Sequence, residues 1–448
     1  MSLTGFQSVG PEAITKVEIP AANEWRFEVD LESKLLVRLI HGNAEIFGTE
    51  LARGMEYEFT GQHAAIYTYK GCTIEYAGNV NEYLADTTPM TIFANLHFAL
   101  EAQRSQAQSS LAASASGPRL LVVGPPNSGK SSLCKILVSY AVKMGRYPML
   151  VNLDPKESVY SPPGGLVAAP ISHILDIETG WGSSPASGPS PLHPKQPLVY
   201  YYGLNNIHKN PKHFRESTEL LATGVKRRIA EDKHVRISGM IVDAPSALTD
   251  GSDSYESCEK VVNDLGITAI AVVGNERLYS ELTRRFTGLT VVRLPKSGGV
   301  VDNDDTWNRK IQRLCLQQYF YGVPRQPLSP YTVTVRFNNL TVWRVLERGS
   351  GENYNDYLPG GGEDDEGTQT EEEVLTKIEP SAILQNCVLA IVNANPGDPA
   401  NIVAKAEVLG YVHISEADET RHQAKVLLPV PGGLPSRPLI LADWQYHE

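Results

Sequence analysis

The stretch "GPPNSGKSS", residues 124–132, follows the apolar run Leu120-Leu121-Val122-Val123 and opens a second apolar stretch. Gly124-x4-Gly129-Lys130-Ser131 meets the Walker A pattern in the context that pattern requires, a strand before it and an amphipathic helix after it. Leu133, Ile136, Leu137, Tyr140 and Ala141 fall at i, i+3, i+4, i+7 and i+8, the stripe of a helix that closes near Gly145. Glycines let backbone N–H groups approach phosphates, and the helix N-terminus adds partial positive charge. Lys130 can reach the β and γ oxygens, and Ser131 can coordinate Mg²⁺. The loop therefore predicts a nucleoside triphosphate held by Asn127, Ser128, Gly129, Lys130, Ser131 and Ser132. Guanine reading needs an Asn/Thr-Lys-x-Asp segment after a late strand, and "LPKSGGVVDNDD" does not supply it, so ATP is favoured.

Outward from the loop, strands and helices alternate. "MLVNLD", "GMIVD", "TAIAVVG" and "TVVRLP" read as strands, and "HFRESTELLATGVKRRIAED", "SYESCEKVVNDLG" and "ERLYSELTRRF" as helices, with an irregular segment after "MLVNLD". That alternation predicts an α/β domain, a parallel sheet covered by helices on both faces. Before it, "EWRFEVD", "KLLVRLI", "EYEF", "AAIYTY" and "CTIEYAG" alternate between turns, the text of a small β-sandwich. After it come the β-rich runs "YTVTVRF", "TVWRV", "CVLAIVNA", "VLGYVHI", "KVLLPVP" and "PLILADW". The reading is three domains: an N-terminal β-sandwich over residues 1–110, a central P-loop ATP-binding domain over 111–328 and a C-terminal β-rich domain over 329–448. A Pro/Gly/Ser-rich insertion, residues 179–197, and an acidic break, residues 359–373, are expected to lack fixed structure. The C-terminal domain carries no motif with chemistry of its own.

Composition bounds the function classes. At 448 residues and 42% hydrophobic, the chain is long enough for several cores. No apolar run approaches the roughly 20 residues that cross a bilayer, and "MSLTGFQSVGPEA" has neither a basic start nor an apolar core, so neither membrane nor secretion is expected. Cys72, Cys134, Cys258, Cys315 and Cys387 lack CxxC spacing, which fits idle thiols in a reducing compartment. A net charge of −11 argues against a protein that wraps nucleic acid through its whole surface.

Two carboxylates stand at strand C-termini, where ligands bind in α/β sheets. Asp243, ending "GMIVD", fits a Walker B acid that orients water on Mg²⁺. Asp154, ending "MLVNLD", stands where a base could activate an acceptor hydroxyl. Either could instead only cap the element that follows.

Together with the P-loop, "AEIFGTEL" (residues 44–51), "LPKSGGVV" (294–301), "QYFYG" (318–322) and "LLPVPGGLP" (427–435) resemble the polyribonucleotide 5′-hydroxyl-kinase family. The likeness is greater to its fungal branch, a subunit of the pre-mRNA cleavage and polyadenylation machinery. The resemblance implies ATP and Mg²⁺ at the P-loop, with the adenine contacted by the N-terminal domain through Glu24 and, where a Lys is expected, His63. It further implies a nuclear protein whose partners are other cleavage-factor subunits, above all the one that binds the RNA polymerase II tail, with RNA met indirectly or weakly.

The departures bear on catalysis. Kinase-active relatives continue from the candidate base as Asp-Val-Gly-Gln-Gly, whereas Asp154 is followed by Pro155-Lys156-Glu157. Their Asp-Thr-x-Gly-Trp is replaced by Asp243-Ala244-Pro245-Ser246-Ala247, losing an aromatic platform worth about 1–3 kcal/mol per base. Their arginine-rich lid helix is replaced by "DNDDTWNRKIQRLCLQQYFYG", in which Arg309 or Arg313 could substitute, or which could be an ordinary helix packed through Trp307, Ile311 and Leu314. Two readings stand: an ATP-binding scaffold without efficient turnover, and an active RNA 5′-hydroxyl kinase with Asp154 as base. A generic ATPase is a third.

Overall fold

Alternating residues in the N-terminal segment build two antiparallel sheets. Strands β1 (Thr15–Ile19), β2 (Asn23–Val29), β3 (Leu35–Gly42), β4 (Glu45–Ile46), β5 (Thr49–Glu50), β6 (Glu56–Phe59), β7 (Gln62–Thr68), β8 (Cys72–Ala77) and β9 (Asn81–Ala85) assort as β1-β8-β3-β6 and β5-β4-β7-β2-β9. Trp25, Phe27 and Ile66 of one sheet and Leu35, Phe59 and Ile74 of the other share a single core, the inner faces of a sandwich. On β2 the residues of the opposite face, Glu24 and Arg26, are buried too. An alternating strand ordinarily gives such residues to water; here the central domain covers them.

The computed structural model describes residues 14–112, 114–179, 197–250, 254–323, 326–347 and 374–446. The acidic break and almost all of the Pro/Gly/Ser-rich insertion lie outside these residues. Helix α1 (Met90–Ser109) follows the sandwich and lays Phe93, Leu96 and Leu100 into the core beneath the central sheet. That sheet contains β10 (Arg119–Val123), β11 (Met149–Asn152), β12 (Gly165–Pro170), β13 (Leu198–Tyr201), β14 (Met240–Asp243), β15 (Ala269–Val273) and β16 (Thr290–Leu294), ordered β13-β12-β11-β14-β10-β15-β16. Strands β11, β14, β10, β15 and β16 are parallel, as the alternation predicts. Strands β12 and β13 are antiparallel additions at one edge and correct the expectation of a wholly parallel sheet with an irregular segment. "GLVAAP" is poor in β-branched residues, so it has little strand signal of its own.

Helices α2 (Lys130–Lys143), α3 (Pro211–Glu231), α4 (Lys233–Ser238), α5 (Ser254–Leu265), α6 (Glu276–Arg285) and α7 (Asp305–Tyr321) complete the central domain. The connection through α2 runs from β10 to β11, and the one through α5 from β14 to β15, so chain direction diverges on either side of the P-loop strand. Ligand crevices form at such switch points.

The C-terminal sheet has seven strands, with Cys387–Val392 near its middle, buried along its whole length. Leu389 and Ile391 enter a core private to this domain, while Val388, Ala390 and Val392 join the core of the central one. Two buried faces explain why this strand reads as a continuous apolar run. Helix α8 (Ala400–Val403) is a single turn. None of the five cysteines forms a disulfide among the described residues. No helix among the described residues is long and apolar enough to cross a membrane.

Candidate functional site

The β10 strand is wholly buried from Leu120 to Val123 and delivers the chain to Gly124 at φ +159°, where a Cβ would lie 2.7 Å from the Val273 carbonyl and 2.9 Å from Ser128 Oγ. Only glycine passes there. Asn127 (φ +49°) and Gly129 (φ +89°) are left-handed as well, curling the loop before α2 begins at Lys130. Lys130 Nζ donates to the Pro125 carbonyl across the loop at 3.0 Å. Ser128 is 1% exposed, and its hydroxyl has no hydrogen-bond partner among the described residues. A buried unpaired hydroxyl is costly, and a phosphate oxygen would satisfy it, so the loop fits the triphosphate the sequence predicts.

Asn127, Ser128, Gly129, Lys130, Ser131 and Ser132 line one cavity, and Glu24 and His63 of the sandwich line the same cavity from the other side. Residues predicted from two domains thus converge on one seam. Glu24 is 3% exposed. Its Oε1 pairs with Arg26 at 2.5 Å and its Oε2 accepts from the Thr88 hydroxyl at 2.7 Å, which fixes the carboxylate at the seam. His63 stacks on Trp307 with centroids 4.3 Å apart, and burial lowers its pKa against the opposing pull of Glu28.

Asp243 and Asp154 do not line the cavity; they lie behind the P-loop. Asp243 pairs with the Ser131 side chain, and its pKa is raised, chiefly by burial and then by Glu157. The Asp154 carboxylate accepts the Lys156 N–H at 3.0 Å; burial, then Glu157, raise its pKa to about 6. Ser131 Oγ also donates to Glu157 Oε1 at 3.0 Å. Ser131, Asp243 and Glu157 therefore form a cluster of hard oxygens suited to Mg²⁺. Among the described residues no group of three or more His, Cys, Asp and Glu is arranged to hold a metal ion.

Sequence reasoning missed several wall residues. Glu157 stood in view only as a departure from a kinase pattern. Phe47 lines the cavity from "AEIFGTEL", with Lys135 Nζ 5.1 Å from its ring. Ser297, Gly299, Val300, Val301 and Asn303 cover the cavity from the loop before α7. Arg309 and Arg313 are exposed and outside it. Lys130 is the one lysine or arginine lining the cavity among the described residues.

Comparison with known proteins agrees with this construction. Residues 124–322 match the P-loop family described as mRNA cleavage and polyadenylation factor CLP1, residues 18–107 an N-terminal β-sandwich domain of polyadenylation factor, and residues 328–448 the pre-mRNA cleavage complex II protein Clp1 family. The mRNA cleavage and polyadenylation factor clp1 of Botryotinia fuckeliana is 42% identical over 435 residues, covering 95% of this chain and 92% of the relative. That of Yarrowia lipolytica is 38% identical over 469 residues and covers both chains fully, at 100% each. A solved complex of wild-type Clp1p with a Pcf11p fragment superimposes with a TM-score of 0.85 at 33% identity, over 98% of this chain and 99% of that one. A second Clp1p structure, which concerns an extended interface with Pcf11p and ATP loss in a glycine-to-arginine point mutant, also gives 0.85 at 31% identity, over 98% and 100% of the two chains.

Proposed function

The chain belongs to the Clp1 family of mRNA cleavage and polyadenylation factors, and from that premise we propose that it is an ATP-binding scaffold of the nuclear cleavage factor, holding ATP and Mg²⁺ without efficient turnover. The observation that carries this reading is the cavity wall. It joins Glu24 and His63 to the P-loop across a domain seam, yet it offers a single lysine and three carboxylates, Glu24, Glu45 and Glu157. Phosphoryl transfer requires cations on the developing charge, and a lid or finger arginine contributes about 10³–10⁵ in rate. With Arg309 and Arg313 outside the cavity, the site has means to bind and little means to transfer.

Glu24 and His63 would face the base, residues 127–132 the phosphates, and Ser131 with Asp243 and Glu157 the metal. Mg²⁺, when bound, supplies the positive charge that lets phosphate oxygens sit among these carboxylates. Lys130 would exchange the Pro125 carbonyl for phosphate oxygen. As Clp1p binds Pcf11p in the superimposable complex, this chain would dock a Pcf11-like subunit, the cleavage-factor component that also binds the RNA polymerase II tail. The boundaries at residues 110–111 and 328–329 would then separate base-binding, phosphate-binding and C-terminal units.

The test is mass spectrometry of protein purified without added nucleotide, paired with incubation in γ-labelled ATP and 5′-hydroxyl RNA. The expected result is about one intact ATP per chain and no label on RNA. Robust labelling that disappears in Asp154→Ala overturns the scaffold reading in favour of a kinase.

A further inference from the structure

The two ends of α7 rest on different domains. At its C-terminal end Leu316, Tyr319 and Phe320 are buried, and the Tyr319 hydroxyl accepts the Tyr411 N–H of the C-terminal sheet at 2.9 Å. Its N-terminal half reaches the sandwich instead. There the indole of Trp307 stacks on the imidazole of His63, the planes 18° apart. One turn on, Ile311 Cδ1 lies 3.7 Å from where a Cβ on Gly61 would be. Asp304 caps the helix, accepting the Trp307 N–H at 2.6 Å, so the helix starts at this contact.

The loop over the cavity, residues 297–303, is strung between these supports. Gly299 sits so close to the sandwich that a Cβ would fall 2.7 Å from Arg26 Nε, and Asn303 and His63 line the same cavity. His63 lines the cavity whereas Trp307 does not. Any influence of Trp307 on a nucleotide must therefore pass through His63 and the loop.

We propose that the His63–Trp307 stack is a latch that holds residues 297–303 closed over the nucleotide and sets its residence time, Trp307 acting as a positioning residue. The inference rests on the cavity holding ATP, as read above. A nucleotide leaving beneath this loop must lift it, and lifting it parts the two rings. Losing a stacked pair and the apolar area it covers predicts release about tenfold faster. Entry uses the same opening, so association quickens as far as the stack also holds the empty site shut, and release is the rate that reports the latch.

The test uses the full chain loaded with labelled ATP and chased with unlabelled ATP. Trp307→Ala should release label about tenfold faster than wild type, and Trp307→Phe, which keeps an aromatic face, should stay near wild type. A stack that serves only folding would lower the melting temperature without changing release. If wild type and Trp307→Ala both hold ATP and release it at the same rate, the latch is wrong and the ATP reading stands. If wild type binds no ATP, the nucleotide reading falls and the latch with it. Should Trp307→Ala not fold, hydrogen exchange on wild type decides: the first turns of α7 should exchange more slowly with ATP than after nucleotide removal, and equal rates overturn the proposal.

Discussion

Glu24 and Arg26 are neighbours on the face of β2 that alternation would leave to solvent, yet they are 3% and 7% exposed. Their pairing makes this burial tolerable. Arg26 donates through Nε to Glu24 Oε1 at 2.6 Å and through a terminal nitrogen to the Thr87 carbonyl at 2.8 Å. Removing one member of a buried ion pair costs about 3–5 kcal/mol, because the survivor keeps its desolvation penalty. We expect Glu24→Ala and Arg26→Ala each to lower unfolding free energy by about 3 kcal/mol in nucleotide-free protein. The double variant should fall short of the sum by at least about 1 kcal/mol. Urea unfolding of the four proteins measures this, and additive losses would mean that the pair is not coupled. The same pair shows how much of a candidate site residue's setting lies outside the reason for naming it. Family resemblance singles out Glu24 as a base contact, but nothing in "EWRFEVD" reveals that Glu24 and Arg26 are both buried, since that depends on distant segments such as Gly298–Gly299 packing over Arg26.

The hairpin of β4 and β5 turns on Phe47 and Gly48, at φ +46° and +78°. Positive φ at both central positions marks the turn type usually built from Asn-Gly or Gly-Gly. Phenylalanine is strained there, and it lines the cavity beside the P-loop, a reason for the strain to persist. Gly48 has no substitute either, because a Cβ would meet the Ile136 carbonyl at 3.0 Å and Ser139 Cβ at 3.1 Å on α2. Gly48→Val should therefore cost about 2 kcal/mol or more and reduce co-purifying ATP, since the hairpin can no longer dock on the helix that follows the P-loop. Gly54 is the control: φ is +74° but a Cβ meets nothing within 4 Å, so Gly54→Val should show the backbone cost alone and keep its ATP. Thermal melts and nucleotide content measure both, and equal ATP loss in the two variants would remove the docking argument. Legibility in the sequence follows the same division. The P-loop and the parallel strands were readable because strand, turn and helix are contiguous there. Strands β12 and β13 were not, since their order depends on partners in a sheet. Glu157 is visible in the sequence only as a departure and Trp307 only as a packing residue, because each meets its partner, Ser131 of the P-loop or His63 of the sandwich, only when a distant segment comes to it.

At the scale of the molecule, the domains meet along shared surfaces. The central core continues into one face of the C-terminal sheet through Tyr411, Ile440 and Trp343, and the N-terminal sandwich lines the P-loop cavity from its other side. A ligand that binds only the closed arrangement stabilises it by RT ln(1 + [L]/Kd), about 4 kcal/mol when free ligand exceeds Kd a thousandfold. On the scaffold reading a P-loop without turnover would on this ground matter to assembly, provided that the partner's surface depends on the closed seam. Lys130→Ala removes the one lysine of the cavity wall without touching the buried side chains that join the domains. We therefore expect it to lose bound ATP, to melt several degrees lower, and to capture a Pcf11-like fragment at least about tenfold more weakly, the three effects moving together. Calorimetry, nucleotide analysis and binding titrations on one preparation separate them. A Lys130→Ala protein that has lost its ATP yet binds the fragment with full affinity would show that partner docking does not depend on the nucleotide, and that the seam closes by protein contacts alone.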